Sequence, residues 1–155
     1  MTTNKDLIQF LNALIPTDWF PAPVNVQFDD DEILVIGTVA TDRSIDEFRA
    51  ATRLDRMAIA DQVEAHFARK VSWGVAQGEV TTLFTTYSPP IATRLRLTER
   101  AVLDTLVSAG VARSRSDALG WCVKLVARHE AEWLADLRSA LVDVERIRDG
   151  GPTSR

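Results

Sequence analysis

Residues 93–128 read TRLRLTERAVLDTLVSAGVARSRSDALGWCVKLVAR, and the succession of patterns in that stretch decides the fold. It opens in alternation. Thr93, Leu95 and Leu97 fall on one side of an extended chain, and Ala92, Arg94 and Arg96 on the other. Successive side chains of a strand point to opposite faces, so this segment buries one face and lifts two guanidinium groups from the other. Then the period changes. Thr98 has N-cap chemistry, and Val102, Leu103, Leu106 and Val107 form the apolar stripe of a helix. Gly110 ends that helix, and Arg113-Ser-Arg-Ser116 follows as a polar turn. Ser116 is predicted to cap a second helix with Leu119, Val123 and Val126 on its apolar side.

The second helix is predicted to run far past this stretch. Trp133, Leu137, Ala140, Val144 and Ile147 continue the apolar spacing as a short heptad seam, and Gly150-Gly-Pro stops it ahead of a short tail. The seam suits either packing on the rest of the chain or a partner helix.

Toward the N-terminus, Tyr87-Ser-Pro-Pro90 marks a boundary, because two prolines stiffen the chain and cannot donate to a ladder. Before it, Leu7, Phe10, Leu11, Leu14 and Ile15 give one face of a helix stopped by Pro16. Trp19 to Pro23 reads as an irregular connector. Val24, Val26 and Phe28 alternate as a strand, Asp29 to Glu32 turns, and Ile33 to Val39 is a central strand. Ser44 and Glu47 have capping-box spacing and predict one helix from about 44 to 69. Val71, Trp73 and Val75 then alternate, Gln77-Gly78 turns, and Val80 to Thr86 returns. The expected class is α+β: a small two-layer αββαββ domain over residues 1–88, then a strand-helix-helix module over 91–149 with an extended last helix.

Charge divides at the same boundary. Residues 1–90 carry 7 Lys/Arg against 13 Asp/Glu, a balance of −6. Residues 91–155 carry 11 against 9, a balance of +2, and the two parts give the −4 of the whole chain. Such asymmetry suggests two modules with different work. The polar first residues carry no leader-like pattern, no apolar run approaches the roughly 20 residues of a membrane span, and Cys122 is the only cysteine. A cytoplasmic protein without a membrane partner is expected.

The order strand, polar cap, amphipathic helix, small-residue turn and Ser114-Arg-Ser-Asp-Ala118 opening a second helix resembles the ribbon-helix-helix family of DNA-binding proteins. The resemblance covers about a quarter of the chain. It implies a homodimer whose strands pair antiparallel into a ribbon that enters the major groove of double-stranded DNA, which admits two strands. Ala92, Arg94 and Arg96 would then face the bases, arginine being able to fork onto guanine O6 and N7. Arg113, Ser114, Arg115 and Ser116 would hold phosphate at the start of the second helix. The function implied is sequence-specific DNA binding, as in a transcriptional regulator, with an effector or protein partner at the N-terminal domain.

Other readings stand beside it. Arg94 and Arg96 alone would also suit the solvated face of an edge strand. Arg49, Arg53 and Arg56 share a helical face that could form an anion or nucleic-acid stripe, but Asp46, Glu47 and Asp55 are spaced to pair with them, so that face reads as solvated charge. His129-Glu130 lacks the second histidine of a zinc motif, and Glu64 and His66 lie two apart on a helix. Asp29-Asp-Asp31-Glu32 is too short for a calcium loop. Cys122 sits in an apolar run with no base beside it. No metal, cofactor or catalytic role is expected. The competing function is a non-enzymatic adaptor, in which the ribbon and helices only dimerise and the acidic N-terminal domain binds a protein. RNA binding by that domain is opposed by its −6 charge.

Overall fold

Alternating Val26, Ile33, Val35, Val71, Trp73 and Val75 give one sheet an apolar face, and three helices supply the residues packed with it. A computed structural model describes residues 4–151. Among them the chain is mixed α+β, with one four-stranded sheet and six helices. It divides into two units, residues 1–91 and 92–155.

In the first unit the order is α1 (Asn4–Leu14), β1 (Asn25–Phe28), β2 (Glu32–Thr38), α2 (Ile45–Ala51), α3 (Arg53–Phe67), β3 (Lys70–Gln77) and β4 (Val80–Leu83). The strands lie in sequence order. β1 pairs antiparallel with β2, β2 parallel with β3 (Val35 opposite Trp73), and β3 antiparallel with β4. A parallel pair needs a long crossover, and α2 and α3 are that crossover. The core joins Leu7 and Leu11 of α1, Phe48 of α2, and Ile59 and Val63 of α3 to the sheet residues.

The connector expected over Trp19 to Pro23 is irregular, and Trp19 within it joins the core. Trp19 is buried, with its ring 6.0 Å from Phe48 and 6.1 Å from Trp73, both edge-on. The single helix expected over 44–69 is two helices. Ser44 caps the first, its Oγ accepting the Glu47 N–H. The chain then breaks at Thr52 (φ −95°, ψ 1°), whose hydroxyl donates to the Phe48 carbonyl. A threonine bonded back to its own turn competes with the helix ladder, which accounts for the joint.

In the second unit α4 (Leu97–Ser108), α5 (Arg115–His129) and α6 (Ala131–Asp149) follow an irregular lead-in, where a strand was expected. Leu97, expected to close the strand, is instead the first residue of α4. The cap is not Thr98 but Arg96, whose backbone N–H donates to the Glu99 carboxylate. Gly110 (φ +75°) closes α4 in a left-handed turn. Val111 N–H donates to Leu106 O and Gly110 N–H to Val107 O, the paired bonds of a Schellman ending. The long last helix is likewise two helices, broken at Glu130 (φ −113°, ψ 29°). The tail expected after the Gly150-Gly-Pro stop lies outside the described residues.

This unit has little interior of its own. Leu103, Ala112 and Ala118 are buried, with Leu95, Leu106, Val107, Leu119 and Cys122 packed beside them. Val102, Val123, Val126, Trp133, Leu137, Leu141, Val144 and Ile147 are exposed, and α6 buries no residue among those described.

Candidate nucleic-acid interface

Leu95 carries the geometry of the lead-in. It packs half-buried against Leu103, Ala112 and Ala118, and its carbonyl accepts from Arg100 Nη1 at 2.5 Å. With Leu95 turned inward, alternation leaves Arg94 and Arg96 outward. Both are exposed, as is Ala92, and Arg96 has extended backbone (φ −78°, ψ 173°). Among the described residues neither guanidinium has an ion pair or hydrogen bond, whereas Arg113, Arg115, Arg146 and Arg148 in the same unit each have an acidic partner. Residues 88–96 carry no strand pairing in the single chain.

The turn before α5 is organised differently from expectation. Its cap is Ser114, not Ser116: Ser114 Oγ accepts the Asp117 N–H at 3.1 Å, and Asp117 in return accepts the Arg113 N–H at 2.9 Å. Serine at the cap and a carboxylate three residues on satisfy donors reciprocally at both ends. Ser116 lies inside the first turn of α5 and is exposed. Arg115 is engaged elsewhere, forking onto Asp104 of α4 at 2.7 and 2.9 Å. That hydrogen bond, more than the charge of the pair, holds the Asp104 carboxyl below its usual value and raises Arg115. Arg113 is almost fully exposed, with a loose 3.8 Å pair to Asp117.

The seven residues therefore fall into two groups. Ala92, Arg94 and Arg96 form an uncommitted outward face. At the turn, Arg113 and the Ser116 hydroxyl remain available, while Ser114 and Arg115 are occupied in holding α5. Two structural residues escaped the sequence reading. Arg100 locks the Leu95 carbonyl, and Glu99 caps α4. The second was readable as an acid three residues past the cap, had the cap been set at Arg96.

Two family models match the chain. One, described as the Rv1265-like protein N-terminal domain, covers residues 5–83; the other, described as the Mb1296 C-terminal domain, covers 96–148. Residues 84–95 lie between them, so most of the lead-in segment falls outside both. The proteins Rv1265 of Mycobacterium tuberculosis and Mb1296 of Mycobacterium bovis, both described only as uncharacterized, are each 49% identical to this chain over 150 residues. These alignments take in 89% of this chain and 66% of each relative, so the chain spans a little under two thirds of their length. No solved structure matches it.

Proposed function

The chain belongs to the Rv1265-like family, whose N-terminal model it matches over residues 5–83, and we propose that it is a homodimeric, sequence-specific DNA-binding protein, a transcriptional regulator. In this proposal the second unit is a ribbon-helix-helix module. Residues 92–96 of two copies pair antiparallel, and the ribbon so formed enters the major groove.

One observation carries the reading: in the second unit the residues before α4 have no strand pairing and hold two arginines without an ion pair or hydrogen bond among the described residues, while Val102, Val123 and Val126 of its helices are exposed. An exposed strand edge needs partners for its N–H and C=O groups, and a lone strand of this length supplies none. A second copy supplies them and covers Val102, Val123 and Val126 together. Arg94 and Arg96 of both chains then stand on one surface, four planar forks suited to guanine. Arg113 and the first backbone N–H groups of α5 add phosphate contacts that position without reading sequence. The acid-rich first unit takes no part in gripping the duplex and suits recruitment or sensing.

The test is fluorescence anisotropy on duplex DNA selected by the protein from a random pool. Arg94→Ala with Arg96→Ala is expected to abolish discrimination between selected and random duplex while the dimer persists. Affinity of the wild type is expected to fall steeply with salt, as phosphates are neutralised. Equal discrimination by the double variant removes the ribbon contact. No duplex binding at low salt transfers the function to the adaptor reading.

A further inference from the structure

On the face formed by Arg49, Arg53 and Arg56, Arg49 and Arg53 are exposed and Arg56 is buried, and the acid pairing that their spacing suggests is not seen. Among the described residues, none of the three has an ion pair with Asp46, Glu47 or Asp55. Arg56 is 6% exposed, and its Nε and Nη2 donate to Thr52 Oγ1 and to the Arg49 carbonyl, both neutral acceptors. Its guanidinium lies 4.7 Å from the centre of the Phe84 ring. Arg49 reaches the same residue, donating to the Phe84 carbonyl at 3.1 Å, and Arg53 makes no hydrogen bond or ion pair among the described residues. A cation taken out of water without a carboxylate is costly, and a second and third cation beside it add repulsion. Burial first, then the charges of Arg49 and Arg53, lower the Arg56 pKa from its ordinary value.

These groups converge on a groove of about 580 Å³ at the joint between α2 and α3, floored by Phe84 and edged by Met57. Thirteen acids lie in residues 1–90, yet only Asp46 reaches this groove. Three arginines against one aspartate leave a balance of +2, which a phosphate-monoester dianion neutralises. Guanidinium forks match phosphate oxygens bidentately, and Asp46 offers an acceptor for a hydroxyl on the same ligand. We propose that the first unit binds a small hydroxyl-bearing phosphate ester in this groove, with the Arg53 fork on the phosphoryl group and Arg49 and Arg56, whose hydrogen bonds within the fold hold them in place, supplying further positive charge.

This site stands independently of DNA binding and is tested without DNA. The full chain is titrated with inorganic phosphate and with glycerol 3-phosphate, against chloride at equal ionic strength, while backbone amide shifts are followed by NMR. Saturable shifts confined to residues 46–57 and 84–85 are expected, with glycerol 3-phosphate binding more tightly than inorganic phosphate. Arg53→Ala, which removes no hydrogen bond seen in the fold, is expected to weaken both by about tenfold or more at unchanged thermal stability. Tighter binding of inorganic phosphate keeps the arginine clamp but overturns the ester and the role of Asp46. Absence of saturable shifts, or identical titrations for the wild type and Arg53→Ala, overturns the site.

Discussion

Gly37 shows how much of the first unit rests on single side chains. A Cβ added there would stand 2.2 Å from the Phe20 ring, which is itself wedged against Trp19 and Phe48. Gly37→Ala is therefore expected to destabilise this unit by about 1–3 kcal/mol in denaturant unfolding, the usual range for overpacking. An unchanged midpoint would show that Phe20 is free to move. Neither Trp19 nor Phe20 could be assigned to the core from sequence, because an irregular segment has no period to reveal which way its rings point. Arg56 was hidden for a related reason. Spacing along a helix tells which charges share a face, but not that Arg56 alone of the three is buried beside the joint. Asp104 and Arg115 belong at this scale too. Eleven residues apart on different helices, they carry no local signature. The Asp104 carboxyl is held below the ordinary carboxylate value by the hydrogen bond from Arg115 first, then by the charges of Arg115 and Arg100. Its folded value is lower than its unfolded one, so the stabilisation is complete above the ordinary carboxylate pKa and is lost as pH falls through the lowered folded one. A carboxyl-carbon NMR titration should find the Asp104 midpoint below that of an ordinary aspartate, and Arg115→Ala should raise it. Coincident titrations in the two proteins would contradict the pairing.

At the level of elements, alternation placed the strands well. β2 and β3 run where continuous and alternating apolar residues predicted them, because a half-buried sheet imposes a period of two on its sequence. Helix existence was equally legible, but helix continuity was not. Thr52 and Glu130 both end a helix without proline or glycine to mark the joint. Caps slipped by two residues, from Thr98 to Arg96 and from Ser116 to Ser114, since several polar residues in a row each have capping chemistry. The consequence for the candidate site is direct: Ser114 and Arg115 are committed to holding α5, and in the proposed DNA reading the weight moves to the segment before α4. The apolar face of α5 carries its own prediction. Val123 is 64% and Val126 49% exposed in a single chain. In a monomer, changing them both to serine should alter stability by less than about 0.5 kcal/mol each, as for other surface positions. In the proposed dimer they are covered, and sedimentation equilibrium should show the double variant dissociating more readily, by about 2 kcal/mol or more. Equal dissociation constants would place these valines outside any interface.

For the whole molecule, the division into an acidic first unit and a mildly basic second one was readable in charge alone. The features on which the two proposals rest are ones that charge does not report: a buried Arg56 beside exposed Arg49 and Arg53 in the first, and a segment without strand pairing before α4 in the second. In the proposed dimer, residues 92–96 pair with themselves across a twofold axis. Opposed residues of an antiparallel pair have Cα atoms about 4.5–5.5 Å apart, within the roughly 4.4–6.8 Å that a disulfide spans. The pairing is tested by a scan of single cysteines through positions 92–96 in a Cys122→Ser background, oxidised at micromolar protein without DNA. Rapid covalent dimer is expected at the position facing its own counterpart, with much slower reaction at its neighbours. Failure of all five positions to cross-link, with a monomer in sedimentation, would contradict it.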